Sequence, residues 1–299
     1  MIRHRILTPV FPSRVVVLGG SGFVGQDLAR HLTELGIEMV GLSSRQIDLL
    51  NRDSVEILER IVCESDALVL ISALTPDKGK DIRTLMRNLT MGEHLSAFTE
   101  RVACSHIVYI SSDAVYKDGE NPIRETSCCN PSTFHGLMHL ARERMLAHAV
   151  QKSKIPFLIV RPSLLYGAND THNGYGPNRF MRTAKREGKV TLSGKGEEKR
   201  DHVYVKDLSR LTALCLMHRS EGVLNVATGL SISFFDLVQM IARLCAGEAK
   251  IEYLARTMPI THRHFDIAVA LKAFPSFHYT PLQKGLFEAL KDLSDRPGG

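Results

Sequence analysis

Hydrophobic positions along this chain fall into two rhythms. Short runs rich in apolar and β-branched residues occur at Val15-Val16-Val17-Leu18, Ile37 to Leu42, Asp66 to Ser72, His106 to Ser111 and Lys154 to Arg161. Runs of this length and composition predict strands buried on both faces of a parallel sheet. Between them the spacing changes to that of helices. Val24, Leu28, Leu32 and Leu35 share one stripe, as do Leu85, Leu89, Gly92 and Leu95 within 82–98, and further helices are expected over 53–63 and 134–152. Strand and helix alternating in this way predict an α/β fold, a Rossmann-type doubly wound parallel sheet with right-handed crossovers.

The texture changes after Tyr166-Gly167. Residues 168–202 are rich in Gly, Asn, Lys and Arg, with one helix expected near 178–187 and a short strand at Val190-Thr191-Leu192. Ser233 with Asp236 three residues on reads as a capping box before a helix. Thr280-Pro281 reads as a cap and first-turn proline before another. The expected organisation is an extension over 1–13 that is draped or frayed, then a dinucleotide-binding domain over 14–167 with return segments at about 203–228. A smaller substrate-binding lobe would comprise 168–202 and 229–299, laid over the carboxyl edge of the sheet.

The chemistry begins where the first strand ends. Gly19, Gly22 and Gly25 stand between that strand and the first helix. A glycine turn at this place leaves the helix's first N–H groups free for a pyrophosphate, which the positive end of the helix dipole favours. Gly19, Ser21, Gly22, Phe23, Val24 and Gly25 are therefore the expected cofactor loop. At the end of the second strand, where a carboxylate often receives the adenosine ribose, the chain reads Ser43-Ser44-Arg45. Hydroxyls and a guanidinium suit a 2′-phosphate, so NADP is expected over NAD. Asp48 reads equally as a partner of the adenine amino group and as a cap for the 53–63 helix.

Composition narrows the partners. Of 299 residues, 44% are hydrophobic and 23% charged, which is an ordinary globular balance, and no run is long enough for a membrane span or a signal h-region. The formal charge of +6, from 38 Lys+Arg against 32 Asp+Glu, suits an anionic small molecule. The basic 179–206 segment lacks the interleaved aromatics of a nucleic-acid surface, so no nucleic acid is expected. Six cysteines without metal-ligand spacing, Cys128-Cys129 among them, fit free thiols in a reducing, cytoplasmic setting.

From Val15 to Leu293 the motifs resemble, in order, those of the extended short-chain dehydrogenase/reductases. This is the NAD(P)-dependent epimerase/dehydratase group, which acts mostly on nucleotide sugars. Gly19-x-x-Gly22-x-x-Gly25 is similar to its glycine pattern, and Asn88-x-x-x-Gly92 to a helix motif whose Asn lies near the cofactor. Tyr109 to Tyr116 resembles the strand carrying the catalytic Ser or Thr, which falls on Ser112. Arg161 to Gly167, Gly176-Pro177-Asn178-Arg179-Phe180, Arg200 to Leu208, Asn225 to Gly229 and Pro281-Leu282-x-Lys284-Gly285-Leu286 resemble later signatures. The resemblance implies a nucleotide-sugar substrate held by Asn178, Arg179 and Arg200, with Arg200 clamping the diphosphate. It also implies a homodimer built on a four-helix interface that uses the helices near 82–98 and 134–152.

Two departures stand out. The family's catalytic Tyr and the Lys four residues later fall on His135 and His139, in the run His135-Gly136-Leu137-Met138-His139. The Asn often found after the Arg-Pro strand is Leu164. An imidazole with its ordinary pKa near ~6.5 exchanges protons at neutral pH without the help that a phenol needs. Three roles for the pair stay open. His135 is a working acid/base with Ser112 polarising the substrate oxygen and His139 reaching the nicotinamide ribose; or the site is catalytically silent and only binds; or His135, His139 and Glu143, spaced i, i+4, i+8, ligate a metal. The i+8 ligand stands ~12 Å along the helix, too far for a site built from one helix alone, so the expectation is no metal. A dehydratase is disfavoured, because Asp113-Ala114 lacks an acid–acid pair beside Ser112.

Overall fold

The structure is a computed structural model and describes residues 2–170, 172–245, 249–257 and 259–294. Its centre is a seven-stranded sheet. The strands are β1 (Arg3–His4), β2 (Arg14–Leu18), β3 (Glu38–Leu42), β4 (Ala67–Leu70), β5 (His106–Ile110), β6 (Phe157–Pro162) and β10 (Ser220–Val226), in the order β3-β2-β4-β5-β6-β10-β1. All neighbours run parallel except β1 against β10.

Alternation along the strands feeds two cores. Val15 and Val17 face one side, together with Leu28 and Leu32 of α1 (Phe23–Glu34) and Leu208 and Leu211 of α6 (Val205–Met217). Val16 and Leu18 face the other. They pack with Leu58 of α2 (Ser54–Ile61), Leu95 and Phe98 of α3 (Ile82–Thr99), and Leu146 of α4 (Phe134–Ser153). With both faces covered, the strands are apolar throughout, which is why they were legible as runs.

The lobe holds a three-stranded sheet of β7 (Leu164–Tyr166), β9 (Lys199–Tyr204) and β11 (Ser231–Ser233), and a parallel pair, β8 (Lys189–Ser193) with β12 (Lys250–Leu254). Around them lie α5 (Pro177–Glu187), α7 (Phe234–Leu244) and α9 (Leu282–Ser294), packed on Tyr166, Phe180, Phe234, Ile241 and Leu286. The Ser233 cap forms as expected, accepting from the Asp236 amide.

Several expectations are corrected. The opening residues are not frayed: Arg3 and Arg5 pair with Glu221, and His4 bonds Ser220 Oγ at 2.8 Å, so the segment closes the sheet edge. The stretch of α8 (Ala268–Ala273) to Phe277, assigned to the lobe, packs instead into the main-sheet core through Ala270, Phe274 and Phe277. Thr280 donates its hydroxyl to buried Asp207 at 2.9 Å. On α3 the buried stripe runs through Thr84, Asn88, Met91, Leu95 and Phe98, so Leu85 and Leu89 are only half-buried. Asn88 points inward, where its amide bonds the backbone of Leu74 and Thr84, and Leu85 lines an open cavity. No helix among the described residues is long and apolar enough to cross a membrane.

Candidate active site

The glycine loop is shaped for close approach. Gly19 N–H donates to Leu42 O at 2.8 Å and Gly22 N–H to Gly19 O at 3.0 Å, which folds the turn against the end of β3. A Cβ on Gly25 would stand 2.2 Å from Gly19 O, so only glycine lets α1 sit this near the turn. Gly22, at the helix N-cap, offers no side-chain cap. The first N–H groups of α1, beginning at Phe23 and Val24, are thereby left to an external anion. This cradle fits the diphosphate of a dinucleotide.

At the end of β3, Ser43 donates its N–H and its hydroxyl to Gln46 Oε1, at 2.8 and 2.7 Å. Ser44 and Arg45 beside it are exposed, and no carboxylate follows the strand directly. Asp48 is exposed and accepts from the Leu50 amide at 3.0 Å. It lies five residues before Asp53, the N-cap of α2, so the alternative of Asp48 as that helix's cap is overturned. Asn88 is 2% exposed; its Oδ1 accepts from Leu74 N–H at 2.9 Å and its Nδ2 donates to Leu74 O at 3.0 Å. Its amide thus pins the segment after β4.

Ser112 closes β5. Its Oγ accepts from the Ala114 amide at 3.1 Å, capping a single 3-10 turn over Asp113–Val115. The start of α4 is pressed onto this turn: a Cβ on Gly136 would meet Ala114 O at 2.1 Å. Thr133 caps the helix by accepting from Gly136 N–H. His135 is thereby fixed beside the Ser112 turn, in the wall of a cavity of about 530 Å³ that is also lined by Leu74, Leu85, Asn88, Phe134 and Met138. One helical turn on, His139 is 5% exposed, meets His135 edge to face with centroids 4.7 Å apart, and bonds Tyr109 Oη through Nδ1 at 2.8 Å.

Burial changes the chemistry expected of the pair. It pushes His135 down to about 4, with nearby His172 adding a little. Burial, then His135 and Arg142, hold His139 well below the usual imidazole range. Both rings are neutral at pH 7, whereas an ordinary histidine pKa was expected. Burial likewise raises Tyr109 to about 12, so its phenol stays protonated.

Beneath the pair lies a buried network that the sequence did not reveal. Arg161 forks onto Glu143, Nε to Oε1 at 2.9 Å and Nη2 to Oε2 at 2.6 Å, with the two side chains 5% and 2% exposed. Ser111 Oγ donates to Glu143 Oε1 at 2.5 Å, Arg161 Nη1 to Tyr116 Oη at 2.9 Å, and Tyr116 Oη to Asn225 Oδ1 at 2.7 Å. Residues from β5, α4, β6 and β10 are thus tied together under the helix that carries the histidines. Glu143 is engaged here, and no group of three His, Cys, Asp or Glu able to hold a metal gathers among the described residues.

Of the expected substrate residues, Asn178 and Arg179 are neighbours on α5 and Arg200 lies on β9. Asn178 is buried, with Oδ1 accepting from Gly167 N–H at 2.9 Å and Nδ2 donating to Asp170 at 2.7 Å, so it shapes the loop after β7. Arg179 is exposed on α5. Arg200 donates to Thr261 O, to Thr261 Oγ1 at 3.1 Å, and to Glu198 at 3.4 Å. Arg263, which the sequence reading passed over, comes from the same loop as Thr261. It holds the Asp113 carbonyl at 2.7 Å and the Asp113 carboxylate at 3.3 Å, tying the lobe to the Ser112 turn.

The chain is similar to known proteins over most of its length. It is 24% identical over 272 residues to the ADP-L-glycero-D-manno-heptose-6-epimerase of Nitratidesulfovibrio vulgaris, with 80% of this chain and 83% of the relative covered. It is 23% identical to the dTDP-D-glucose 4,6-dehydratase of Dictyostelium discoideum, with 79% of this chain covered and 63% of that protein's length spanned. Among solved structures, the UDP-glucose 4-epimerase of Thermus thermophilus, in complex with NAD, superposes with a TM-score of 0.84 at 20% identity, over 94% of this chain and 99% of that one. A GDP-L-fucose synthetase from Naegleria fowleri superposes with a TM-score of 0.84 at 18% identity, over 97% and 96%. The family model for the NAD dependent epimerase/dehydratase family matches residues 15–227, from β2 through β10 and thus across the glycine loop, the Ser112 turn and the histidine helix, and the chain belongs to that family.

Proposed function

We propose that the protein binds NAD(P) in the glycine loop and a nucleotide sugar against the lobe, and acts on the sugar as an epimerase or reductase with His135 and His139 in the places of the family's Tyr and Lys. The observation that carries this reading is the position of His135, in the wall of a large cavity and at a helix start pressed onto the Ser112 turn. When bound, the dinucleotide supplies the hydride acceptor and donor. Neutral His135 takes the proton from the sugar hydroxyl as its carbon is oxidised. Because burial depresses the imidazole, the resulting imidazolium is a strong acid and readily returns the proton to the keto oxygen. Ser112 polarises that oxygen. Arg200, exchanging its bonds to Thr261 and Glu198, grips the diphosphate, with exposed Arg179 assisting from α5 and Asn178 holding the loop after β7. Exposed Ser44 and Arg45, without a carboxylate, support NADP over NAD. Exposed apolar Ile82, Met86 and Leu137 on α3 and α4 support a homodimer through these helices, which sedimentation would test. Six free cysteines fit a reducing, cytoplasmic setting.

A second reading, a silent binder of the same ligands, is favoured by one observation: His139 is engaged with Tyr109, and both rings are neutral. The test is binding of NADPH, NADH and a nucleotide-sugar panel, followed by turnover of the wild type, His135→Ala and Ser112→Ala. Turnover that collapses in both variants supports the enzyme. Binding without turnover of any sugar supports the silent protein. Tighter NADH than NADPH binding refutes the NADP preference.

A further inference from the structure

Arg142 is the one fully buried guanidinium on α4, at 0% exposure, and it has no carboxylate within ion-pair distance among the described residues. The acid next to it in sequence, Glu143, already has both oxygens bound by Arg161 and Ser111. Arg142 Nη1 donates to Ser72 O at 2.8 Å, while Nε and Nη2 are buried without a partner. Its guanidinium carbon lies 5.3 Å from the centre of the Tyr109 ring, the same tyrosine that bonds His139. A buried cation with unsatisfied donors is the most costly kind of side chain for a fold to keep, and a packed apolar residue in its place is commonly neutral or stabilising. Packing alone therefore does not account for it.

Its place in the fold does. Ser72 lies just past the carboxyl end of β4, where its N–H donates to Leu18 O at 3.0 Å. Across from it is the glycine loop, near enough that a Cβ on Gly19 would stand 2.9 Å from Ser72 N. The charge of Arg142 is thus held between the histidine pair and the loop that cradles the dinucleotide's diphosphate. The groups facing it are the Ser72 carbonyl from β4, the Tyr109 phenol from β5 and His139 from its own helix, none of them anionic. We infer that Arg142 is the fixed positive charge of the dinucleotide site, a positioning residue reaching in from the turn after His139 to draw the anionic cofactor toward the histidine pair. The inference rests on the proposed reading that the glycine loop binds NAD(P). A neutral His139 offers the cofactor no charge, and Arg142 supplies one from the next turn. Burial first, then His135 and then the Arg142 charge lower the His139 imidazole.

The test compares Arg142→Met, which keeps the length and removes the charge, with Arg142→Lys, which keeps the charge. Dissociation constants for NADPH and NADH are measured by fluorescence titration, and urea unfolding is measured on the cofactor-free proteins. The inference expects Arg142→Met to weaken cofactor binding about tenfold or more while leaving cofactor-free stability unchanged or higher, and Arg142→Lys to restore most of the affinity. It is overturned if Arg142→Met binds within about twofold of the wild type. It is equally overturned if that variant fails to fold or loses cofactor-free stability in step with affinity, for then Arg142 is a structural peg. A wild type that binds neither dinucleotide overturns the glycine-loop reading and this inference with it, whereas a wild type that binds beside an unaffected Met variant overturns this inference alone.

Discussion

The Glu143–Arg161 pair sets how firmly α4 is held, and a double-mutant cycle measures it. Arg161 presents two donors to the two carboxylate oxygens, at 2.9 and 2.6 Å, with neither side chain more than 5% exposed. Burial works against charge on Arg161, and the hydrogen bond and charge of Glu143, with Tyr116 adding to them, together outweigh it, so the guanidinium is held charged. Glu143→Gln removes the negative charge and one acceptor while leaving that guanidinium in place. Breaking one side of a buried pair in this way costs about 3–5 kcal/mol, mostly as the penalty of the stranded cation. Arg161→Met strands the carboxylate and should cost a similar amount, eased slightly because Ser111 still donates to Glu143. Removing both charges in Glu143→Gln/Arg161→Met strands neither, so the double variant should be less destabilised than the sum of the singles by about 2 kcal/mol or more. Urea unfolding at pH 7.5 on the four proteins gives the cycle. Additive costs, or a Glu143→Gln cost below about 1 kcal/mol, would refute the view that this pair is a coupled, desolvated anchor.

The remaining predictions concern the site directly. His135→Ala should lower turnover about 10²–10⁴-fold with little change in cofactor affinity, read from kcat and from direct NADPH titration. Gly25→Ala places a Cβ 2.2 Å from Gly19 O, so it should weaken dinucleotide binding by about tenfold or more; near-wild-type affinity by calorimetry would contradict the close-approach argument. Stability should fall as pH drops from about 6.5 toward 4. Burial holds His106 and His135 at about 4 and His202 at about 3, so below the unfolded-state value near ~6.5 the unfolded chain binds protons that the folded chain refuses. One such histidine accounts for about 2 kcal/mol lost by pH 5, and equal urea midpoints at pH 7.5 and 5.0 would sink the account.

What was legible in the sequence follows from how local each feature is. β2, β4, β5 and β6 are buried on both faces, so each writes itself as an apolar run, and the glycine turn lies in one contiguous stretch. β1 could not be read, because Arg3 and His4 are polar and become a strand only by pairing with Glu221 and Ser220. The Ser233 cap was legible because donor and acceptor lie three residues apart; the Thr280 hydroxyl was not, because its partner Asp207 lies 73 residues away. The same holds within the site. Ser112, His135 and His139 announce themselves by motif, whereas Tyr109 and Arg142 occupy positions that read as ordinary strand core and helix face. Their roles come from packing that only the fold creates. The imidazole pKa values are not legible for a related reason, since burial sets them and sequence does not show burial.

The scaffold around the histidines bears on which of the two functional readings is the more economical. Two contacts fix the start of α4: the Thr133 cap and the close approach of Gly136 to Ala114 O. A third, the buried Glu143–Arg161 fork, fixes the helix two turns further on, with each guanidinium nitrogen of Arg161 hydrogen-bonded. A helix that only covered a bound dinucleotide would need neither the close approach to the Ser112 turn nor a buried ion pair whose replacement by apolar side chains would cost little. Such over-determination is what a reacting group requires, since a displacement of about 1 Å at a catalytic atom can cost two orders of magnitude in rate. This scaffold supports the proposed role of His135 as the working group, whose depressed imidazole gives its proton back readily once it has taken one up.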